Sequence, residues 1–506
     1  MSNNTHSELW KSLQWRKLRK NIFRLQVRLF KAVRAGDTKR VRNLQRLILK
    51  SQSARLLAIR QVTQLNAGKK TAGVDGKASL THEERLALEK LLLHVNHWKH
   101  SKLREIPIPK KDGTTRILKI PTIKDRAWQC LVKYALEPAH EATFHARSYG
   151  FRPGRSAQDC QKIIQINLNS RASGHQKQIL ELDIEKCFDR IDQADLMKRV
   201  IAPQSIKQCL WSCLKIGVNP EFPNQGTPQG GVISPLLANI SLNGIEEIHY
   251  SVRYADDMVF FIKPRESAEK VLDKVREFLA IRGLRVKQAK TRTVSSTNGF
   301  NFLGWHISVQ SNGKFRCYPS EDNYKAFRQK VKTIVNNSNH GAKVKAFKLA
   351  PIVRGWRNYH KFCKMGGSRW SLWFIANRTW KVFNQEAKQD KESTTKLIKQ
   401  AFPAVPYSEN KFVNVKGDKS PFDGDIPYWS ERNSKLYGGT TSSLLKKQRH
   451  SCAKCGLKFV DSEKVHLHHI DGNHHNWKPE NLAALHESCH DYMHMGKRHK
   501  SLRIEP

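Results

Sequence analysis

The sequence predicts a multidomain α+β protein, and three observations carry that reading. Between residues 100 and 310, short β-like runs ("QILELDI", "SVRY", "MVFFI", "NFLGWHIS") alternate with helical patterns ("SAQDCQKIIQINL", "AEKVLDKVREFLAIRG"), as in an antiparallel sheet backed by helices. On either side the apolar spacing is helical. After residue 448 the composition shifts, and ten of the 22 histidines fall between 450 and 499. With 506 residues, 39% of them hydrophobic, the chain has material for roughly three or four domains with real cores.

The N-terminal part is basic and helical. From about residue 8 to 65, Ile22, Leu25, Leu29 and Val33 recur at helical spacing among many Arg and Lys, and "AGDT" at 35–38 breaks the run, so two basic amphipathic helices are expected. Few acids pair with these bases, which suits phosphate, although a merely solvated face has a similar composition. Over the whole chain 90 Lys and Arg stand against 44 Asp and Glu, a formal charge of +46, and nucleic acid is the expected partner. No apolar stretch reaches the about eighteen residues that cross a bilayer, and the start lacks a signal-peptide core. Seven of the ten cysteines (130, 160, 187, 209, 213, 317 and 363) are scattered without a framework. The expectation is a protein of the cytoplasm or an organellar interior, not secreted, with no membrane partner.

The chemistry is expected in the α+β region. "SVRYADDMVFFIK" has strand-forming flanks around "ADD", so Asp256 and Asp257 fall at the tip of a β-hairpin. A surface turn alone could account for one Asp. Two adjacent carboxylates, however, repel by about 4 kcal/mol at 4 Å and an effective dielectric of 20, so a site that keeps them together usually supplies a cation, Mg²⁺ being the natural one. Asp183 ends the apolar run of "QILELDIEKCFDRID", where it could converge on the hairpin tip. Three carboxylates can hold two Mg²⁺ ions, which suits nucleotidyl transfer.

Ordered blocks from 105 to 310 carry a family resemblance: "IPKKDGTTRILKIPTIKDRAWQ", "FHARSYGFRPGRSAQDC", "ELDIEKCFDRID", "GTPQGGVISPLLANI", "RYADDMVFF", "GLRVKQAKTRT" and "NFLGWHI". Through them the chain resembles the reverse transcriptases encoded by group II introns. The resemblance implies a right-hand polymerase, with fingers and palm around an antiparallel sheet, whose catalytic acids map onto Asp183, Asp256 and Asp257. It further implies that Lys110 and Arg116 clasp the incoming dNTP, that Ile184, Gln229 and Gly230 contact it, and that Phe188 blocks a 2′-hydroxyl. Read without the family, Phe188 is an ordinary core residue, and "GTPQGG" is a loop whose Gly226, Gly230 and Gly231 let backbone approach a strand closely.

From 320 to 390 the pattern is helical again, with the Trp residues expected in the core. "LAPIVRGWRNYHKF" resembles the maturase region of the same proteins, a helical thumb. "PAVPYSENKFVNVKGDKSPFDGDIP", 403–427, reads as a loop-rich linker or small module, and "KSPFDGDIPYWSERNSKLYGG" resembles the family's DNA-binding segment.

At the C-terminus "CAKCG" and "HESCH" place Cys452, Cys455, His486 and Cys489 in two short-spaced sets, the pattern of a structural Zn²⁺ site. "VHLHHIDGNHHNWKPENLAALH" between them resembles an HNH endonuclease, a small zinc-stabilised ββα-type domain. That likeness implies His469 as the general base, Asn481 as the residue orienting it, and His468 with His490 holding one divalent metal. Many family members have Asp-His where this chain has His468-His469, which keeps a ligand and removes a negative charge. His466, His474, His475, His494 and His499 are read as solvent-facing or phosphate-contacting, not as ligands.

The whole reading is a basic helical extension and start of the fingers at 1–100, fingers and palm at 101–315, thumb or maturase domain at 316–395, DNA-binding segment at 396–447 and HNH domain at 448–506. The implied partners are a group II intron RNA, double-stranded target DNA and dNTPs, with the oligomeric state left open. The implied activities are RNA-directed DNA synthesis, help in intron splicing and DNA nicking for intron homing. A free-standing reverse transcriptase with a fused nuclease, acting in defence or repair, and a non-catalytic RNA-folding protein are the alternatives.

Overall fold

The computed structural model describes residues 3–109, 113, 115–217, 221–387, 390–437, 439–459, 465–474 and 476–495. Its N-terminal part holds four helices, Asn3–Ser12, Trp15–Arg34, Thr38–Lys50 and Gln52–Arg60, where the apolar spacing predicts two. The break at 35–38 is a helix-to-helix turn in which Gly36 takes φ +70° and the Asp37 carboxylate caps the next helix by accepting from the Arg40 amide. A second break falls at Ser51, whose extended backbone interrupts the helix without interrupting the apolar periodicity. Leu29, Leu44 and Ile48 from these helices are buried in one large core together with Trp128 and Leu131 of helix Ile123–Glu141.

Strands β1 (Arg104–Pro109) and β2 (Thr115–Ile120) form an exposed antiparallel ribbon. The central sheet contains β3 (Gln178–Leu182), β4 (Ser251–Tyr254), β5 (Asp257–Ile262) and β6 (Arg292–Ser295) in the order β4-β5-β3-β6, every pair antiparallel. It is covered on both faces. Leu180, Leu182, Met258, Phe260 and Ile262 enter the core shared with the N-terminal helices, while Ile179, Val252, Val259 and Phe261 enter a second core. The period-two alternation of an extended chain makes this division, and a strand with both faces buried reads as the continuous apolar run seen in "MVFFI".

The second core is completed by a three-stranded sheet and the helices after it. "NFLGWHIS" is not one strand but a hairpin: β7 (Phe300–Phe302) and β8 (Trp305–Val309) turn at Leu303 (φ +49°) and Gly304 (φ +79°), and β9 (Phe315–Pro319) adds the third strand. Helices Glu321–Val335, Ala342–Tyr359, Trp373–Ala387 and Lys391–Ala401 follow. Trp356 is buried there as expected, but Trp373 and Phe374 stand exposed at the start of their helix. Further on, β10 (Val465–His469) and β11 (Leu482–His486) pair antiparallel and lead into helix Glu487–Met495, a ββα unit. No described helix is long and apolar enough to cross a membrane.

One ion pair ties the edge of the central sheet to its surroundings. Arg253 of β4 and Glu246 are both fully buried, with Nε donating to Glu246 Oε1 at 2.6 Å. Burial pushes the Glu246 carboxyl up, but the charge and hydrogen bond of Arg253 outweigh it and leave the carboxyl below its usual range. Arg253 also donates to Asn239 Oδ1 (3.0 Å), to the Ala255 carbonyl (3.0 Å) and to Ser148 Oγ (2.8 Å). Replacing Arg253 by Leu strands the Glu246 charge, and the expected cost is about 3–5 kcal/mol. Denaturant unfolding of the variant followed by Trp fluorescence measures it, and loss of under about 1 kcal/mol would show the pair to be dispensable.

Candidate active site and metal centre

The hairpin tip begins from sheet register. Tyr254 pairs with Asp257, so Ala255 and Asp256 make a two-residue turn, and Ala255 adopts φ +57°. A left-handed backbone costs a residue with a Cβ about 1–2 kcal/mol, so the surroundings must hold it. Two contacts do. Arg253 donates to the Ala255 carbonyl, and Gly150 lies so close that a Cβ there would fall 2.3 Å from the Ala255 nitrogen. Segment 147–149 fastens Gly150 in place, because the Arg253 amide donates to the Arg147 carbonyl, the Tyr149 amide donates to the Arg253 carbonyl, and Asn239 donates to the Gly150 carbonyl.

Asp183 reaches the same end of the sheet from β3. Leu182 pairs with Met258, so the next step of an antiparallel register sets Asp183 opposite Asp257. The Lys287 amide donates to the Asp183 carbonyl at 2.8 Å, and Lys290 Nζ lies 3.1 Å from Asp183 Oδ2. Asp257 opens to solvent at the mouth of the turn yet has protein on most sides. Burial first, then the charges of Asp256 and Asp183, push its carboxyl up to about 6, with Lys290 opposing. Burial and the Asp183 charge likewise raise Asp256, against its own amide, Arg116 and Arg253. Three hard oxygen donors whose mutual repulsion is only partly offset fit a divalent cation such as Mg²⁺.

The other sequence-predicted residues surround this point unevenly. Arg116 is exposed on β2 and acts on Asp256 through its charge. Lys110 lies outside the described residues. Ile184 is 3% exposed, with its side chain in the core and its backbone next to Asp183. Phe188 is half-buried and meets Phe151 edge-on at 6.3 Å. Gln229 donates to the Asp189 carboxylate (3.2 and 3.3 Å) and accepts from the Lys119 amide of β2 (2.7 Å), so the "GTPQGG" loop bridges the short helix Cys187–Arg190 after β3 to the ribbon. Gly230, at φ +122°, would press a Cβ within 2.9 Å of the Lys119 carbonyl. Lys290 and Phe151 went unmarked by sequence reasoning, although both sit in the blocks that carry the family likeness.

The C-terminal module gathers two groups of ligand-type atoms, each within 4.8 Å of one another: Cys452, Cys455, His486 and Cys489, and His468, His490 and His494. In the first, Cys455 Sγ lies 3.3 Å from His486 Nδ1, and hydrogen bonds from Cys455 and Cys489 hold the Cys452 thiol far below its usual range. That donor set suits tetrahedral Zn²⁺. In the second, His494, read from the sequence as solvent-facing or phosphate-contacting, stands among ligand-type residues. It stands four residues after His490 on one helix, so both rings share a face and meet His468 from β10. His469, 7% exposed, packs edge-on against Trp477 and His474. Asn481 donates to Asp471 Oδ1 (2.8 Å) and the Asn476 carbonyl (2.9 Å), tying down the loop that leaves His469. His466 approaches Glu487 at 3.7 Å, while His475 and His499 lie outside the described residues.

Comparison with known proteins is consistent between residues 10 and 402. Residues 108–307 match the family model "Reverse transcriptase (RNA-dependent DNA polymerase)", 10–92 the "N-terminal domain of reverse transcriptase" and 324–402 the "Group II intron, maturase-specific domain". The chain is 39% identical over 396 residues to "Maturase-like protein 1" of Euglena gracilis, spanning 78% of this chain and 86% of that one. It is 37% identical over 394 residues to the protein of the same name in Euglena longa, spanning 77% and 86%. With "Group II intron-encoded protein LtrA" of Lactococcus lactis subsp. cremoris it shares 32% over 221 residues, 42% of this chain and 35% of that protein.

The raised Asp257 carboxyl makes a signed prediction. A carboxyl with a folded pKa above its unfolded value loses the fold stability as pH rises from about 4 to about 6. In buffer without Mg²⁺, Asp257→Asn should therefore melt above the unaltered chain at pH 7.5, with the gap closing by pH 4. Mg²⁺ should raise the melting temperature of the unaltered chain more than that of the variant; equal responses of the two would remove Asp257 from the metal site.

Proposed function

Because this chain belongs to the group II intron reverse transcriptase and maturase family, we propose that it copies its intron RNA into DNA from a nicked target, assists splicing of that RNA, and makes the nick with its C-terminal module. The observation that carries the proposal is the convergence of Asp183, Asp256 and Asp257 at one end of the central sheet, within the segment that matches reverse transcriptases.

In this reading the three acids hold Mg²⁺. Bound there, Mg²⁺ supplies the positive charge that eases deprotonation of a primer 3′-hydroxyl and departure of pyrophosphate. Arg116 neutralises triphosphate from the ribbon side, joined by Lys110. Phe188, braced by Phe151, closes the sugar side and disfavours a 2′-hydroxyl. The loop carrying Gln229 and Gly230 brings backbone close to the template or primer strand.

For RNA, the basic N-terminal helices and the thumb are the supporting surfaces. Trp373, Phe374 and Phe347 are each more than half exposed on thumb helices, of which Ala342–Tyr359 is rich in Lys and Arg and Trp373–Ala387 carries Arg378 and Lys381, and exposed aromatics beside cations suit unstacked bases. The ββα unit supports the nuclease: His468, His490 and His494 would hold one divalent metal, and His469, anchored through the loop that Asn481 ties down, would take the proton from water. Cys452, Cys455, His486 and Cys489 would hold Zn²⁺ and so stabilise a module whose own core is small.

Two outcomes test this reading. Asp256→Asn should abolish primer extension on an RNA template, by at least about a thousandfold, while intron RNA is still bound, since the change leaves the basic surfaces untouched. Loss of RNA binding in the same variant would join two activities that are separate here. His469→Ala should end nicking of target DNA while extension of a supplied primer continues; parallel loss of extension would show that the C-terminal module is not an independent nuclease.

A further inference from the structure

Residues 412–434 are placed in a way that neither a linker nor a DNA-binding segment requires. Trp429 is 1% exposed, its Nε1 donates to the Ser420 carbonyl at 2.9 Å, and its ring lies where a Cβ on Gly154 would fall, 2.6 Å from Cζ3. Arg432 donates to both oxygens of Asp159 (2.9 and 3.1 Å) and to the Gly154 carbonyl (3.0 Å), with both charged side chains buried. The Val415 amide donates to Asp159 Oδ1 at 2.8 Å, and Arg155 donates to the carbonyls of Gly417 and Lys419 (3.2 and 3.1 Å). Across the other edge, Phe422 packs with Phe30 and Ala142, and Arg34 pairs with Asp418 at 2.8 Å.

These contacts seize the block "RSYGFRPGRSAQD" at its far end, and the near end of that block is the buttress of the catalytic turn. Arg155 also donates to the Ala146 carbonyl, Arg152 joins the Glu141 carboxylate to the carbonyls of His145 and Ser148, and Gly150 presses on Ala255. From Arg432 to Ala255 the path runs through buried and half-buried hydrogen bonds and one close backbone approach. We propose that residues 412–434 form a strap that positions the polymerase turn, with Trp429 and Arg432 as its positioning residues. The inference rests on the polymerase reading of Asp183, Asp256 and Asp257, and it gives the segment before the ββα unit a task in DNA synthesis besides any contact with DNA.

The test uses the full chain, oligo(dT) primed on poly(rA), with Arg432→Ala, Arg432→Lys and Trp429→Phe. Arg432→Ala should lower kcat for dTTP at least tenfold, change KM less than threefold and raise the half-saturating Mg²⁺ concentration severalfold. The two conservative variants should fall between it and the unaltered chain. Hydrogen exchange without added Mg²⁺ gives a readout independent of activity: amides of 146–155 and 251–258 should exchange faster in Arg432→Ala, while helix Gln204–Ile216 is unchanged. A reduced rate at unchanged Mg²⁺ midpoint, or exchange accelerated evenly throughout, would mean fewer folded molecules and overturn the proposal, as would an unchanged kcat. No extension by the unaltered chain would overturn the polymerase reading itself, and this inference with it.

Discussion

A single buried cation holds the acid-bearing end of the central sheet together. Arg253 is an edge-strand residue whose side chain turns inward to Glu246 and then spends its remaining donors on three different neighbours: a helix through Asn239, a loop through Ser148 and the hairpin turn through Ala255. An ion pair of this burial contributes little net stability over an apolar substitute, so its value lies in directionality. Five donors in a rigid fork fix where three separate chain segments meet, and the left-handed Ala255 can persist only at that meeting point.

The same end of the sheet reconciles two opposed electrostatic demands. A chain of net charge +46 is built to attract phosphate, yet its chemistry needs a spot negative enough to hold divalent cations. The solution is geometric. Most of the sheet is apolar on both faces, with Glu181 of β3 held against Arg292 of β6, and where β3 and β5 leave the two cores Asp183, Asp256 and Asp257 are close enough to raise each other's affinity for any positive charge. Lys290 tempers that repulsion at Asp183 without removing it from Asp257.

Much of this was legible in the sequence, for identifiable reasons. Apolar runs bounded by turn residues marked β3, β4 and β5, and the "ADD" hairpin followed from two residues between strand-forming flanks. The misses share a cause: information that lies across the chain and not along it. "NFLGWHIS" looked like one strand because its turn, Leu303-Gly304, is only two residues long. The exposed ribbon and β6 carry too few buried positions to show a period. His494 was passed over among many histidines, though its spacing of four from His490 on a helix was a usable signal. Nothing local to Trp429 or Arg432 announces partners near residue 155, since Pro, Gly and polar neighbours look the same in a linker and in a packed strap.

The contact between Arg432 and Asp159 also has a meaning in time. Asp159 is fully buried and receives its cation from 273 positions later in the chain. During synthesis the ribosome delivers the whole sheet, both cores and the thumb before it delivers the residue that neutralises this carboxylate. Until then the carboxylate is held by the Ser156 amide and hydroxyl at the start of helix Ala157–Leu168 and lacks its bidentate guanidinium. The emerging chain would thus complete the central sheet and the thumb helices before the segment that braces the turn.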